Sequence, residues 1–397
     1  PHTAAYHELW LNGERVDPNV VAAQGEPIYG PTYLPRKFKI GVAHDGDNCI
    51  DVFTQDIGLI SHVEGDRLVG FTLVIGGGMG MTHNKPNTYP HAALPFCFVT
   101  PEQVIPVVEA IVTVQRDYGD RTDRKHARMK YVVAELGIPW YRAHVEERLG
   151  YTLADPRPVE FENVDDHIGW HKQADGRWFL GVFVQSGRIK DDGAFRLRAG
   201  LRRLIEAVHP GIRITGQQNL LLTDIASEAR AQVEEILRTH GVEVDPARLG
   251  VARYSMACPA SPTCGLAVAE SERALPALLA QLEVELAALG LGGERLSVRM
   301  TGCPNGCARP YMGDIGFVGR SAHLYDVFLG GDWGNTRLNA HYASGVHYDK
   351  LVAFLHPLFV AWKAQRLGTE TFGGFAHRVG FEALRISAQA QQPVAAG

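Results

Sequence analysis

Long apolar runs are missing from this sequence. None reaches the roughly 18–20 residues that a membrane-crossing helix needs, so no helical span and no membrane partner is expected, and the cytoplasm is the expected compartment. Excess positive charge is missing as well. Lys and Arg number 39 against 44 Asp and Glu, a net charge of −5, and nucleic acid is not expected as a partner because phosphate binding needs clustered cationic charge. Cysteine is scarce, with six residues in 397. The start, Pro1-His2-Thr3-Ala4, has neither a basic region nor a long apolar stretch and lacks an initiator Met. It does not read as a secretion signal, so disulfides are not expected, and clustered thiols read as metal ligands or catalytic groups.

What is present is ordinary globular material, 45% hydrophobic and 21% charged, in a chain long enough for two or three domains. A short amphipathic piece, Tyr6 to Leu11, opens a connector over 1–30. Alternation over 31–41 predicts a strand with Lys37 and Lys39 on one side and Phe38 and Ile40 on the other. Strands are expected at 50–53, 57–61 and Leu68–Ile75, the last stopping at Gly76-Gly77-Gly78. Thr100-Pro101-Glu102-Gln103 is a helix start with a capping box, followed by the apolar stripe Val104, Val107, Val108 and Ile111. A second helix is expected over Asp123–Leu136. From 155 the pattern mixes strands (Arg177–Val184, Ile212–Thr215, Asn219–Leu222) with helices (Ala194–Val208, Ala226–His240). A leucine-faced helix then covers Ser271–Leu289, and the end from 377 reads as a loose tail.

The chain also repeats itself weakly. Asp56-Ile57-Gly58 leads to Gly76-Gly77, and Asp314-Ile315-Gly316 leads to Gly330-Gly331. Upstream, Lys37–Ile40 aligns with Ser297–Met300 in alternation; downstream, Val104–Val114 and Leu351–Ala364 are both apolar helices. Three matches in one order predict two copies of one α/β unit.

Only the second copy carries paired cysteines: Cys258 with Cys264, and Cys303 with Cys307. Four thiolates from two loops suit a cubane iron–sulfur cluster, in which each iron takes one protein sulfur. Zinc competes for the same ligands, although five residues between Cys258 and Cys264 is wide for a structural zinc pair, and cysteines without a common role remain a third reading. Each pair begins Cys-Pro, which removes a backbone donor and fixes φ. Gly302 and Gly306 let the backbone come close. Cys49 and Cys97 stand alone and read as small buried hydrophobes. His167 and His171 read as solvated side chains.

Ser255-Met256-Ala257-Cys258 through Cys264, with Thr301-Gly302-Cys303-Pro304-Asn305-Gly306-Cys307-Ala308-Arg309-Pro310, resembles the paired signature of sirohaem nitrite and sulfite reductases. Tyr33-Leu34-Pro35-Arg36-Lys37-Phe38-Lys39 resembles that family's substrate-lysine strand, and Arg121-Thr122-Asp123-Arg124-Lys125 is similar to a segment near its haem. The likeness runs from about residue 5 to 375, and the lysine strand favours the sulfite branch. It implies a [4Fe–4S] cluster on Cys258, Cys264, Cys303 and Cys307, with Cys307 also bridging to the iron of a sirohaem. It implies that Lys37 and Lys39 clamp sulfite, and that sulfite is reduced to sulfide with electrons from ferredoxin or a flavoprotein. Sirohaem carries eight carboxylates, so Arg36, Arg128, Lys130 and Arg309 are candidate contacts, with Gln218, Asn219 and Asn305 as uncharged donors. Gly76-Gly77-Gly78-Met79-Gly80 lacks the order of a nucleotide loop and reads as a turn past a flat cofactor.

The resemblance implies a mixed α+β fold: two pseudo-repeated cluster-type α/β domains with a ferredoxin-like half-domain between them. The expected parts are a connector at 1–30, a first α/β domain at 31–154, the half-domain at 155–244, the cluster domain at 245–376 and a tail at 377–397. Family members carry an earlier ferredoxin-like half as well, so the chain is expected to be part of a longer protein. The rival expectations are a nitrite reductase and a catalytically incomplete piece that only binds cluster or metal.

Overall fold

The computed structural model describes residues 10–12, 14, 15 and 28–390. Most of the expected Tyr6–Leu11 piece lies outside them; within them Trp10–Leu11 pairs with Glu14–Arg15. The chain forms two compact units. One comprises 1–42, 53–78 and 93–159; the other comprises 43–52, 79–92 and 160–397.

The first unit is a sheet faced by two helices. Strands Ile57–Glu64, Arg67–Ile75 and Leu94–Val99 run antiparallel, and the chain entering Ile40–His44 lies beside Ile57–Glu64. Ile57, Leu59, Leu73, Ile75, Phe96 and Val99 bury one face against Val107, Ile111, Val114, Val133 and Val145 of helices Val104–Tyr118 and Met129–Leu149. The first helix starts as its sequence dictates: the Thr100 N–H donates to Gln103 Oε1 at 3.0 Å and closes a capping box. The second helix does break at Gly137, whose φ is +81°, but the chain resumes through Pro139 and runs to Leu149. Its start also differs from expectation. Asp123–Arg128 is a turn, because the Asp120 and Asp123 carboxylates accept from backbone N–H groups of Thr122, Asp123 and Lys125 and hold it out of the helix.

Two further strand expectations fail. The strand predicted over 31–41 begins only at Ile40. Pro31 and Pro35 cannot donate to a ladder, and the Lys39 N–H is taken by the Asp56 side chain at 2.9 Å. Residues 52–54 form a 3-10 turn rather than a strand, with Val52 N donating to Asn48 Oδ1 at 2.7 Å.

The second unit holds two sheets. Gly211–Ile214, Leu220–Ile225, Trp178–Val182 and Gly169–Lys172 form an antiparallel sheet covered by helices Leu197–Val208 and Arg230–Thr239 around Leu180, Leu204, Leu222, Val233 and Leu237. The other sheet runs Met256–Ala257, Val298–Thr301, Ile315–Ser321, Leu324–Leu329, Ala340–His347. Its first three strands are parallel and the rest antiparallel. Helices Leu275–Ala288 and Leu351–Gln365 pack on it through Leu278, Leu282, Leu286, Leu355 and Trp362. The segment read as a tail is helical to Ala390: Phe372–Val379 and Phe381–Ala390 follow one another, and Leu384 is fully buried in the same core.

The repeat is real, with its register corrected by two residues. In the first copy Asp56 accepts from Lys39 N, Ile57 N donates to Lys39 O, and Gly76 N donates to Asp56 O. In the second, Asp314 accepts from Ser297 N, Ile315 N donates to Ser297 O, and Gly330 N donates to Asp314 O. Lys39 therefore corresponds to Ser297, not to Arg299. Alternation alone cannot distinguish registers two residues apart.

Candidate iron–sulfur and anion site

Both cysteine loops leave the same end of two neighbouring parallel strands. Ala257 pairs with Met300, and one step further each strand gives way to its loop: Cys258 follows Ala257, and Gly302-Cys303 follows Thr301. Parallel strands lie roughly 5 Å apart, so the fold delivers thiols that are distant in sequence to one place. The Gly302 N–H points at Cys258 Sγ, 3.5 Å away. Gly302 has no room for a side chain: a Cβ there would meet Ala269 O at 2.5 Å and Ala260 Cβ at 2.7 Å. Gly306 has a φ of +65°, and a Cβ would press on the Tyr311 ring at 2.9 Å. The second loop is braced from outside by Met81 N and Tyr311 Oη, which donate to Pro304 O at 2.9 and 3.2 Å.

The four thiols are graded in exposure. Cys258 and Cys303 are buried, Cys264 is half-buried and Cys307 is exposed. None is in a disulfide. Burial pushes the Cys258 thiol above its ordinary range against the pull of the Gly302 and Ala260 N–H groups, and the neighbouring Cys307 adds to the rise. Among the described residues, no three of these sulfurs approach within 4.8 Å of one another, as the ligands of a single small ion would. Five residues between Cys258 and Cys264 are wide for a structural zinc pair, which favours a multi-iron cluster. Thr301 Oγ1, two residues from Cys303, is buried without a hydrogen-bond partner, as is Gln218 Oε1. Four thiols on converging loops beside an unspent hydroxyl fit a [4Fe–4S] cluster.

The other expected residues of this unit are mostly occupied in holding the loops. Gln218 Nε2 donates to Ala257 O at 2.8 Å, bracing the residue before Cys258. Asn219 is buried; it accepts from Val184 N at 2.7 Å and donates to Asp166 at 2.9 Å. Asn305 is exposed. Arg309 has a left-handed backbone, ion-pairs with Asp51 and donates to Gly216 O at 2.9 Å. Sequence reasoning missed its buried companions. Asp51 is also gripped by Arg299 at 2.6 and 3.2 Å. Burial alone would raise the Asp51 carboxyl, but the two guanidinium charges hold it below the usual range. Only the acid–base count of the sequence hinted at such a pairing, since its partners lie far apart in the chain.

Lys37, Lys39, Arg36, Arg128 and Lys130 belong to the first unit. Arg36 sits in a bend and is half-buried, and Lys37 is exposed. Burial, with the charges of Arg124 and Arg128, lowers the Arg36 guanidinium from its ordinary value. Arg128 precedes the helix and is bound to the buried Asp56 through Nη2 at 2.8 and 2.9 Å. Lys130 donates to Gly78 O at 3.2 Å and is almost fully buried. Burial first, then the nearby Arg128 and Lys39 charges, brings its amine down to about 7. Lys39, Arg128 and Lys130 act on the buried Asp56 carboxylate, and Arg36 feels the Arg128 charge.

Sequence comparison identifies the assembly. The family described as "Nitrite and sulphite reductase 4Fe-4S domain" matches residues 1–153 and 252–393, and "Nitrite/Sulfite reductase ferredoxin-like half domain" matches 171–240. The "Sulfite reductase [ferredoxin]" of Synechococcus elongatus is 46% identical over the whole chain, which spans 66% of that protein. The "Sulfite reductase [NADPH] hemoprotein beta-component" of Geobacillus thermodenitrificans is 45% identical over 96% of the chain and 66% of its own length. Among solved structures, the Mycobacterium tuberculosis NirA protein superposes with a TM-score of 0.75 at 26% identity, covering 89% of this chain and 65% of that one. The chain belongs to the nitrite and sulphite reductase family.

Proposed function

We propose that this chain forms the cluster- and haem-bearing part of a sulfite reductase haemoprotein, reducing sulfite to sulfide. The observation that carries the reading is the convergence of the Cys258–Cys264 and Cys303–Cys307 loops from adjacent parallel strands. Cys258, Cys264, Cys303 and Cys307 would hold the [4Fe–4S] cluster, and the exposed Cys307 would also serve the sirohaem. When bound, this coupled pair supplies the electrons, which a single haem iron cannot store. Taking sulfur from +4 to −2 consumes six electrons, and the three oxygens leave as water, so the protein must supply positive charge and protons. Lys37 and Lys39 do both: their ammonium groups bind the dianion and donate to its departing oxygens. Arg36 and Arg309 would answer sirohaem carboxylates, Gln218 and Asn305 would meet its uncharged rim, and the buried Asn219, bonded to Val184 and Asp166, would hold that segment in place. Arg128 and Lys130, committed to Asp56 and Gly78, act through their field rather than by contact. The proposed parts are 31–154, 155–244 and a cluster domain that starts at 245 and takes in Leu384 of the last helix. The donor is a ferredoxin or a flavoprotein; the relatives' names carry ferredoxin in one case and NADPH in the other.

The test is sulfite-dependent oxidation of reduced viologen by the cofactor-loaded chain. Turnover with sulfite in preference to nitrite, and a fall of about 10²–10³-fold for Lys39→Ala, support the reading. Preference for nitrite moves the protein to the other branch of the family. Full cluster and haem absorption without turnover of either anion contradicts catalysis by this chain.

A further inference from the structure

The four cluster cysteines leave Cys49 unassigned, and the structure gives it company. The short strand Gly46–Asp47 runs parallel to Phe161–Asn163, with Asp47 opposite Asn163. The segments that follow both strands therefore emerge on the same side, Asn48-Cys49 from one and Val164 to Ile168 from the other. They are pinned together: Asn48 N donates to Asn163 O at 2.8 Å, and Gln217 Nε2 bridges Cys49 O, at 3.0 Å, and Val164 O. Asp47, Cys49 and His167 each bring one ligand atom to this point, all within 4.8 Å of one another. All three belong to the second unit.

We propose that Asp47, Cys49 and His167 form a site for one divalent transition-metal ion of the zinc type, distinct from the four-cysteine set. The donors are a thiol sulfur, an imidazole nitrogen and a carboxylate oxygen, the three kinds zinc takes. Ligands of a tetrahedral zinc at about 2.0–2.3 Å lie roughly 3.5 Å apart, so an ion would open the 2.6 Å Asp47–His167 contact and draw the thiol toward both. The carboxylate already acts as the hub: Asp47 Oδ2 lies 2.6 Å from His167 Nε2, and Oδ1 accepts from Cys49 N at 3.0 Å and Asn163 Nδ2 at 3.3 Å. His167 is fixed by a left-handed backbone, φ +52°, which aims its ring at Asp47. The surrounding charge favours a cation. Burial first, then the charges of Asp47, Asp166 and Asp51, push the Cys49 thiol up; Asp51 is ion-paired with Arg299 and Arg309, and the Arg309 charge also reaches Asp166. Asp166 is met by the neutral Thr215 and Asn219 side chains. The side chains of Asp47 and His167 stay 21% and 36% exposed, so solvent reaches the pair.

The ordinary alternative is an Asp47–His167 ion pair with a thiol beside it, and metal analysis separates the two. The purified full chain is loaded with zinc, passed over a chelating resin, and assayed for zinc and iron in the same sample. One zinc per chain is expected in addition to the iron. Cys49→Ser, Asp47→Asn and His167→Asn should each lose that zinc, with affinity down by more than about 100-fold, while iron content and cluster absorption stay unchanged. Cobalt in place of zinc should give a thiolate charge-transfer band that Cys49→Ser abolishes. A wild-type chain that keeps no zinc, or three folded variants that all keep it, overturns the proposal. Three independent substitutions, each checked by circular dichroism, protect the result against one variant failing to fold.

Discussion

Asp51 and Lys130 show how much charge the protein hides to shape its site. Asp51 is fully buried between Arg299 and Arg309, and Arg309 follows the last cluster cysteine by two residues. Replacing Asp51 with Asn leaves two guanidinium groups without their counter-charge, one of them 2% exposed. Breaking a buried pair in this way costs about 3–5 kcal/mol, so Asp51→Asn should lower the urea midpoint strongly and loosen the Cys303–Cys307 loop; an unchanged midpoint would contradict this. Lys130 works in the other direction. Its folded amine titrates near 7 against an ordinary 10.5. Below about pH 7 both folded and unfolded chains carry the proton, and the burial cost is fully felt. Between about pH 7 and 10.5 the unfolded chain keeps a proton that the folded one has lost, so stability rises with pH. From pH 7 to 9 the wild type should gain about 2–3 kcal/mol that Lys130→Met does not gain, measured as the difference between their denaturation curves at the two pH values.

Among the elements, the parallel pair Met256–Ala257 and Val298–Thr301 does the most for function, because it turns two remote cysteine motifs into one constellation. Gly302 is where that geometry is tightest. Gly302→Ala would push a methyl group into Ala269 O, and the expected result is a folded chain with most of its iron lost on purification. Retention of full iron would show that the loop has slack. The sequence made this constellation legible because cysteine is rare and its loops carry proline and glycine at fixed offsets. The capping box at Thr100 and Gln103 and the leucine face of Leu275–Ala288 were legible for the same reason: each signal is local. What stayed hidden depends on partners far along the chain. The Lys37–Lys39 segment reads as a strand by alternation, yet the Asp56 side chain takes its N–H. Asp123–Arg128 reads as helix, yet local carboxylates stop it. Cys49 and His167 each look inert alone, and only the pairing of Gly46–Asp47 with Phe161–Asn163 brings them together.

At the scale of the whole molecule, the net charge of −5 conceals a strongly uneven distribution. Basic side chains gather around Asp56 in the first unit, and thiols gather at one strand end in the second. The repeated hydrogen-bond pattern at Asp56 and Asp314 shows that one scaffold serves both uses. The chain spans 66% of the length of curated relatives in two organisms, and no helix of its described residues is long and apolar enough to cross a membrane. The central claim is that four sulfurs from two loops surround a single cubane. Iron and acid-labile sulfide per chain, counted after anaerobic reconstitution, test it most directly. Four of each are expected, with a fifth iron where sirohaem is bound, falling sharply in Cys258→Ser and Cys303→Ser. One zinc and no sulfide bound by the same four residues, or Cys258 and Cys303 found joined to their neighbours as disulfides, would contradict it.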